Sequence, residues 1–278
     1  MSGNITVAHS EGLEFLSTRV EDNSIGLILT DPPYIISHET GMDKHRHAVE
    51  AADGENIKTL EQWGVYKKGN GLKSDEHKEN YIKYGSIYGK KYCVRTNYGK
   101  WDSQFTLEIL EDFVQQYYNK LKPGGTLIIW FDLWKLSHLK EIMERAKFKQ
   151  LRMIEWIKTN PQPLNASTNY LTNCREIALL GIKGSNPTFH GRMDRGIYEF
   201  PVAAGFYKFH PTQKNLQLFE ELIRKHSNEN DLVMDTFLGG GTTALAAKRT
   251  GRRFVGCEAN IEYVEKINEL LFRTKGEV

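Results

Sequence analysis

Short apolar runs alternate with segments of helical periodicity along most of the chain. The runs end at glycine, proline or polar residues, as buried strands do, and predict strands at residues 27–30, 126–131, 151–157, 176–182, 232–234 and 253–256. Between the runs, apolar residues recur at helical intervals, which predicts helices at about residues 105–121, 135–147, 216–223, 242–250 and 261–272. Strands alternating with helices indicate an α/β fold, a mostly parallel sheet with helices on both faces.

Two long segments interrupt this alternation. From residue 35 to residue 100 the periodicity is lost, which predicts an inserted loop region that is either functional or disordered. Order resumes at Trp101-Asp102-Ser103. Residues 158–209 are also rich in loops, apart from the strand at 176–182. We therefore expect a single domain over residues 1–278 that carries these two specialised segments.

Composition narrows the class of protein. The net charge of +2 over 278 residues does not by itself indicate a nucleic-acid partner. No apolar run is long enough to span a bilayer, and the N-terminus has no secretory signal. Three widely spaced cysteines without a CxxC pair favour a reducing compartment over a disulfide framework or a zinc site. We therefore expect a cytoplasmic protein with no membrane partner.

A glycine-rich turn, Phe237-Leu238-Gly239-Gly240-Gly241, joins a predicted strand to the next helix. Glycine lets the backbone approach a ligand closely, and Thr242 or Thr243 can cap the helix. Glu258 follows Asp235 by 23 residues, at the end of the next strand, where a carboxylate can bind the ribose hydroxyls of an adenosine. The pattern favours a nucleoside cofactor over a turn used only for packing. It leaves a dinucleotide and S-adenosylmethionine both open.

The tetrapeptide Asp31-Pro32-Pro33-Tyr34 ends the strand at 27–30, at the sheet edge where open α/β proteins bind ligands. A nucleobase amine is a poor nucleophile because its lone pair is delocalised into the ring. The Asp31 carboxylate and the Pro32 carbonyl can each accept one amino proton, which favours a tetrahedral nitrogen aimed at a methyl donor. Stacking a base on Tyr34 recovers about 1–3 kcal/mol, which roughly offsets the cost of extruding it. Alone, the tetrapeptide could also be a turn that merely ends a strand.

Together these motifs resemble a known family. The tetrapeptide, then His210-Pro211-Thr212-Gln213-Lys214, then Asp235-x-Phe237-x-Gly239-x-Gly241 are similar to the motifs of the β-class DNA amino-methyltransferases, in which the catalytic half precedes the cofactor half. Lys158-Thr159-Asn160-Pro161 and Trp101-Asp102 are similar to its adenine-specific members. The resemblance implies a three-layer αβα fold with a mixed, mostly parallel, seven-stranded sheet and permuted motif order. It also implies S-adenosylmethionine as cofactor.

The resemblance carries roles onto matching residues. The catalytic residues would be Asp31, Pro32, Pro33 and Tyr34. The cofactor-binding residues would be Asp31, His210, Thr212, Lys214, Asp235, Phe237, Gly239, Gly241, Thr242 and Glu258, with Lys214 as a partner of the methionine carboxylate. Thr236 and Asn215 stand where the family usually has proline, so we expect altered local rigidity there.

DNA contacts are expected from both specialised segments. Residues 81–100 combine five basic residues and five tyrosines with no acidic residue, which suits phosphates and unstacked bases. The alternative is a solvated or oligomer-forming insertion. Residues 158–209 would be the target-recognition region by resemblance, where arginine can read guanine edges. The expected DNA-binding residues are Tyr81, Lys83, Lys90, Lys91, Arg95, Lys158, Asn160, Arg175, Arg192 and Arg195. No metal site is expected, since His38, His45 and His47 lie in loop-like sequence without a nearby cysteine.

These features predict a site-specific DNA methyltransferase that moves a methyl group from S-adenosylmethionine to the N6 amino group of a flipped-out adenine. Cytosine-N4 methylation is the nearest alternative, because aspartate rather than serine at position 31 favours adenine only by family resemblance. Methylation of RNA or of a protein glutamine is more distant, since the cofactor turn usually comes first in those families. A catalytically silent subunit that binds DNA and cofactor is a different class. The family adds a homodimer and a cognate restriction endonuclease as partners to be tested.

Overall fold

The computed structural model describes residues 4–34, 58–84, 105–161, 171–204, 208–210 and 212–273. The chain divides into two units, a larger one formed by Met1–Ile35 with Asp102–Val278 and a smaller one formed by Ile36–Trp101. The described helices are all too short or too polar to cross a bilayer.

The larger unit contains one twisted sheet. Its strands are β1 (Ile5–His9), β2 (Ile25–Thr30), β3 (Leu121–Phe131), β4 (Lys149–Lys158), β5 (Arg175–Ile182), β6 (Ile197–Phe200), β7 (Leu232–Asp235) and β8 (Arg253–Glu258). They lie in the order β1-β8-β7-β2-β3-β5-β4-β6. Only β5 runs antiparallel to its neighbours, and the other pairs are parallel.

The predicted mixed, mostly parallel sheet is confirmed, but the described residues form eight strands rather than the expected seven. The edge strands β1 and β6 are the ones that the hydrophobic pattern missed. Each buries a single residue, Ala8 in β1 and Tyr198 in β6, so neither produces a recognisable apolar run.

Helices cover both faces of the sheet. Numbered along the described residues, they are α1 (Gly12–Arg19), α2 (Leu60–Gly69), α3 (Lys78–Tyr84), α4 (Leu107–Lys120), α5 (Leu136–Arg145), α6 (Leu216–His226), α7 (Thr242–Arg249) and α8 (Ile261–Arg273). Helices α1, α4 and α5 share one apolar core with the sheet, whereas α6, α7 and α8 share the other. The predicted three-layer αβα arrangement is therefore confirmed.

The centre of the sheet brings the two sequence motifs to one edge. Strand β2 lies between β3 and β7, and its pairing with β7 sets Leu27 opposite Val233 and Ile28 opposite Met234. Because the two strands are parallel, Asp31 after β2 and Phe237 after β7 follow at the same level. The strand before the tetrapeptide, β2, precedes β7 in the chain, so the catalytic motif comes before the glycine turn although the two strands are neighbours in the sheet.

The smaller unit corrects the expectation of a continuous loop, because its described residues 58–84 contain the helices α2 and α3. Thr59 begins α2 with a capping box: its hydroxyl accepts the Gln62 amide at 3.2 Å, and the Gln62 side chain accepts the Thr59 amide at 2.9 Å. Trp63, Tyr66 and Tyr81 form an aromatic cluster, with the rings of Tyr66 and Tyr81 4.4 Å apart. The capping signal Thr59-x-x-Gln62 was available in the sequence but was missed among polar and aromatic residues.

Candidate active site

Asp31 lies immediately after the wholly buried strand β2 and carries two oxygens in different surroundings. Oδ2 is 2.7 Å from the Nζ of Lys214. Oδ1 is buried and has no hydrogen-bond partner among the residues that the structure describes. A buried acceptor left unpaired costs free energy, and such atoms are rare in native proteins. The Oδ1 atom can therefore accept a hydrogen bond from a ligand without losing one to the protein.

Burial and the neighbouring ammonium act on the pKa of Asp31 in opposite directions. Burial raises the pKa of the Asp31 carboxyl, and the Lys214 ammonium lowers it by a smaller amount. Burial alone would lower the pKa of Lys214, but the negative charges around it hold that pKa well above its usual value. The ammonium is therefore charged, and it stabilises an ionised Asp31.

Tyr34 completes the wall of the site. Its ring packs edge-on against Phe131 with 6.3 Å between ring centroids, and its hydroxyl lies 3.5 Å from the Nζ of Lys214. Burial raises the pKa of the phenol, so the ring is neutral. Pro32 is buried and Pro33 is half-buried, so the chain turn between Asp31 and Tyr34 is packed as well as intrinsically stiff.

Glu176 is a site residue that the sequence reasoning missed. Its Oε2 is 2.7 Å from the Nζ of Lys214, and its Oε1 is 2.7 Å from the Nζ of Lys158. Strand β5 is antiparallel to β3, with Ile177 opposite Phe131, so the first residues of β5 reach the edge where β2 and β3 end. A search of carboxyl-terminal strand ends alone does not find such a residue.

The glycine turn follows β7 at the same edge. Gly239 and Gly241 have φ of +50° and +74°, a region that disfavours side chains. A Cβ on Gly240 would lie 2.6 Å from the side-chain oxygen of Gln213, and that oxygen accepts the amides of Phe209 and His210. Gln213 and Ile267 fill the space where side chains at Gly240 and Gly241 would lie, whereas Gly239 is half-buried.

Glu258 stands beside this turn at the end of β8. Its two oxygens accept the Gly239 amide at 2.8 Å and the Asn260 amide at 2.9 Å, which fixes the carboxylate in place. A carboxylate has about four acceptor sites, so these bonds do not exhaust its capacity to accept from a ribose hydroxyl. The ring of His210 lies near Gly239, where an added Cβ would be 3.6 Å away, and stacks edge-on against Tyr263. Together, the bare turn, the fixed carboxylate and the neighbouring ring fit a nucleoside cofactor.

Other predicted cofactor residues have roles within the protein. Phe237 packs its ring 4.7 Å from Phe113. Thr242 is buried, and its hydroxyl donates to the backbone carbonyl of Lys214 at 3.5 Å, which connects the turn to the segment before α6. The Thr212 hydroxyl lies 3.2 Å from Nδ1 of His210. Their contacts with a cofactor, like that of Lys214 with a methionine carboxylate, stay predictions.

Asp235 is an internal brace in this structure. Its carboxylate accepts the Thr30 hydroxyl at 2.7 Å, the Phe237 amide at 3.0 Å and the Thr243 hydroxyl at 2.6 Å, and the residue is buried. These bonds join β2, β7 and α7, so Asp235 shapes the glycine turn from beneath. The predicted direct contact of its side chain with a cofactor has no support from this geometry.

The buried Asp235 leads to a prediction about stability. Burial raises the pKa of Asp235 from the ordinary 3.8 to about 6, so the folded state favours the protonated carboxyl. The free energy of unfolding of the wild type therefore decreases as pH rises from about 3.8 through 6. Asparagine keeps one acceptor and can donate to Thr243, but it does not titrate. When the pH is lowered from about 7 to about 5, the free energy of unfolding of the wild type should increase by about 1 kcal/mol relative to that of Asp235→Asn. Both are measured by urea unfolding. A pH-independent difference would contradict this.

The two residues that replace the family's prolines, Asn215 and Thr236, both form side-chain hydrogen bonds. Asn215 begins α6, where its side-chain oxygen accepts the Leu218 amide at 2.9 Å and its amide nitrogen donates to the Pro201 carbonyl at 2.9 Å. Thr236 exchanges a short hydrogen bond with the hydroxyl of Tyr117. Neither side-chain bond would be open to proline, and the expected change in local rigidity stays a prediction.

In the larger unit, the predicted DNA-binding residues fall into three groups. Arg192 and Arg195 are exposed in the loop before β6. Arg175 is 60% exposed but paired with Glu155 at 2.7 Å. Lys158 is turned toward Glu176 in the site, and the Asn160 side chain accepts the Val202 amide at 2.8 Å, so both have partners inside the protein.

In the smaller unit, Lys83 is exposed on α3. Tyr81 is only 9% exposed because its ring packs on Trp63 and Tyr66, so the expectation of a tyrosine open for base stacking is wrong at this position. The remaining predicted contacts, Lys90, Lys91 and Arg95, lie outside the described residues, as do His38, His45, His47, Pro211 and Trp101-Asp102.

Comparisons with known proteins identify relatives of this chain. A family model described as DNA methylase, of the N6/N4 methyltransferases, matches residues 25–198 and 190–269. The type II methyltransferase M2.DpnII of Streptococcus pneumoniae is 27% identical over 278 residues, covering 93% of this chain and 86% of that protein. M2.LlaDCHI of Lactococcus lactis subsp. cremoris is 31% identical over 191 residues, covering 62% of this chain and 71% of that protein.

Solved structures share the fold. The M1.HpyAVI–SAM complex superposes with a TM-score of 0.59 at 22% identity, covering 96% of this chain and 99% of that one. The cytosine-N4-specific PvuII DNA methyltransferase superposes with a TM-score of 0.63 at 17% identity, covering 98% and 93%. The expected kinship with β-class amino-methyltransferases and the expected S-adenosylmethionine cofactor are confirmed. With its tetrapeptide, glycine turn and fold in the matched span, the chain belongs to the N6/N4 DNA methylase family.

Proposed function

We propose that this DNA methyltransferase modifies the N6 amino group of adenine, with Asp31, Pro32 and Tyr34 holding the extruded base. The observation that carries the proposal is the buried Oδ1 of Asp31, which has no hydrogen-bond partner among the described residues. It lies at the sheet edge that the glycine turn shares.

The chain's own residues then divide the work. Oδ1 of Asp31 accepts one amino proton, and the carbonyl of Pro32 accepts the other, so the nitrogen becomes more tetrahedral and its lone pair is directed away from the ring. The bond to Asp31 is charge-assisted, which makes it the stronger of the two. The pair costs little reorganisation because the Pro32-Pro33 backbone is stiff.

S-adenosylmethionine supplies an electrophilic methyl group on a sulfonium whose charge is lost in the transfer. In the proposal Glu258 binds the ribose hydroxyls, and the bare backbone from Gly239 to Gly241 lies against the cofactor. His210 forms the neighbouring wall. Its pKa is lowered by burial and by the Lys214 charge, so the ring is neutral and adds no positive charge beside a cationic cofactor.

Tyr34 takes the stacking role for the base. Its ring is held from one side by Phe131 and from another by the Lys214 ammonium, which lies 5.5 Å from the ring centroid. A ring fixed in this way can stack on a base with little loss of side-chain freedom. The choice of adenine rests on aspartate at position 31, which resembles the adenine-specific members of the family.

The identity of the base is tested by product analysis. Unmethylated plasmid DNA is incubated with enzyme and tritiated S-adenosylmethionine, digested to nucleosides and separated by chromatography. We expect the label in N6-methyladenine. Label in N4-methylcytosine would replace adenine by cytosine in the proposal. No label above the Asp31→Ala background would support the catalytically silent subunit instead.

Three further expectations belong to the same proposal. We expect a homodimer, to be measured by light scattering, and a cognate restriction endonuclease that cuts the sequence this enzyme protects. A DNA substrate inside the cell also makes the cytoplasm the expected location. Resistance of the methylated plasmid to an endonuclease from the same host would support the pairing.

A further inference from the structure

The chemical groups behind Asp31 form a line of alternating charges. Lys158 contacts Glu176, Glu176 contacts Lys214, and Lys214 contacts Asp31. Each of the three nitrogen–oxygen distances is 2.7 Å. The Lys214 side chain is only 8% exposed, so its ammonium is held almost entirely by protein groups. Two partly buried carboxylates thus share one buried ammonium at the end nearest the tetrapeptide.

The geometry points to Glu176 as a positioning residue that draws the Lys214 ammonium toward β5, so that Lys214 pairs with Oδ2 of Asp31 and leaves Oδ1 to the amino group of the base. This inference rests on the proposed function of Asp31 and assigns Glu176 no contact with substrate. Lys158 pairs with the other oxygen of Glu176, Oε1, and so fixes the orientation of the Glu176 carboxylate toward Lys214.

Simple electrostatics explains why sharing matters. With Glu176 present, Asp31 keeps part of its negative charge for the amine, because the ammonium is neutralised from two sides. Without the Glu176 charge, Asp31 is the one carboxylate left beside the Lys214 ammonium in this line of charges, and the ammonium is free to shift toward both oxygens of Asp31. Asp31 would then be a weaker acceptor, and its free oxygen would be contested by the ammonium.

A purely structural role for Glu176 is the alternative reading. The strand pair β4–β5 offers a matched comparison, because a second cross-strand ion pair joins Glu155 to Arg175 at the same 2.7 Å. In the strand register Glu155 is the immediate neighbour of Trp156, the partner of Glu176, so the two ion pairs lie on opposite faces. Glu155→Gln therefore removes a bridge between the same strands without touching the line of charges.

The groups that determine the titration of Asp31 come from several elements. Lys214 before α6, Glu176 on β5 and Tyr34 in the tetrapeptide act on Asp31 directly, and Asp31 in turn raises the pKa of Asp235 on β7. Lys158 on β4 lowers the pKa of Glu176, and Lys214 lowers that of His210. Lys214 lowers the pKa of Asp31 and Glu176 raises it. Removing the Glu176 charge should therefore lower the pKa of Asp31, and removing the Lys158 charge should act in the opposite direction.

The test measures single-turnover methyl transfer against pH, together with cofactor affinity by calorimetry. For Glu176→Gln we expect a plateau rate lowered about tenfold, as for weakening one charged hydrogen bond, and an acid limb moved to lower pH. The dissociation constant of S-adenosylmethionine should stay as in wild type. Glu176→Asp, which keeps the charge, should leave the acid limb near its wild-type position. Glu155→Gln should keep both the rate and the limb.

In Lys158→Gln the acid limb should shift in the opposite direction, to higher pH. The reason is that Glu176, having lost one cation, attracts Lys214 more strongly and leaves less positive charge for Asp31. If Glu176→Gln does not fold, this sign carries the test. The inference would be overturned if Glu176→Gln showed the wild-type rate and the wild-type acid limb of the pH profile. It would also be overturned if the acid limb of Lys158→Gln moved to lower pH. Full activity of Asp31→Ala would instead overturn the proposed function, so the two failures are distinguishable.

Discussion

Replacing Asp31 by alanine is expected to lower the single-turnover rate of methyl transfer by about 10²–10³-fold, the range found when one preorganised group of a transition state is removed. The amino nitrogen then keeps its lone pair in the ring, since one of its two acceptors is gone. The affinity for S-adenosylmethionine should change much less. The rate is measured with saturating enzyme and a tritiated methyl group.

A matched control comes from the next strand. Asp132 ends β3, where its side chain accepts the Trp134 amide at 3.0 Å and begins a short 3₁₀ turn. Asp132→Ala removes a carboxylate from the same sheet edge, one strand away, and should leave the rate within about twofold of wild type. Equal rates for wild type and Asp31→Ala would remove Asp31 from the mechanism.

Wild-type activity should also depend on pH in a defined direction. Asp31 must be ionised to accept the amino proton, and burial raises its pKa above the ordinary 3.8. The rate should therefore fall as pH decreases through this raised pKa, at a pH where an exposed aspartate would still be charged. The acid limb should be missing from the residual activity of Asp31→Ala.

Replacing Lys214 by methionine is expected to destabilise the fold by about 3–5 kcal/mol at neutral pH, the cost of breaking a buried ion pair and leaving its partner charged. Asp31 and Glu176 would then face each other without the ammonium between them. The free energy of unfolding is measured in urea.

The pH dependence of this loss follows from the signs. Lys214 has a pKa raised above that of the unfolded chain, so its stabilisation is fully present below about 10.5 and is lost only at higher pH. In the variant, the two carboxylates acquire raised pKa values, so protonation relieves the cost as pH falls. The loss should be larger near pH 8 than near pH 5.

An exposed lysine provides the comparison. Lys140 pairs with Glu144 at 2.6 Å, but both side chains are about half exposed. Lys140→Met should cost no more than about 0.5 kcal/mol. If Lys214→Met were as mild as Lys140→Met, the ion pairs of the site would contribute little to the fold.

The placement of individual residues shows where sequence reasoning succeeds. The tetrapeptide after β2 and the glycine turn after β7 were found because proline and glycine restrict or free the backbone locally, whatever the rest of the chain does. The helix α4 was found because Phe113 and Tyr117 repeat at helical spacing and face the core. Short elements such as β1 and β6 lack enough buried residues to show this periodicity.

The surroundings of Tyr81 and Asp235 depend on contacts that the local sequence does not show. Tyr81 looked like a surface aromatic among lysines, but it is buried because two other aromatic residues, Trp63 and Tyr66, fold onto it. The cofactor contact of Asp235 stays a prediction, but hydroxyls from β2 and α7 occupy its oxygens. In each case the deciding partners are distant in the chain or belong to another element.

The amino-acid sequence by itself determined the chemistry available to this protein: a carboxylate beside a rigid turn, a glycine-rich turn with an acidic residue after it, and their order along the chain. Those are local properties of backbone freedom and hydrophobic period. Only the tertiary structure decided that Glu176 and Lys158 lie behind Asp31, and that Lys214 is shared between two carboxylates. The antiparallel direction of β5 is the physical reason, because it returns the start of that strand to the edge where β2 ends.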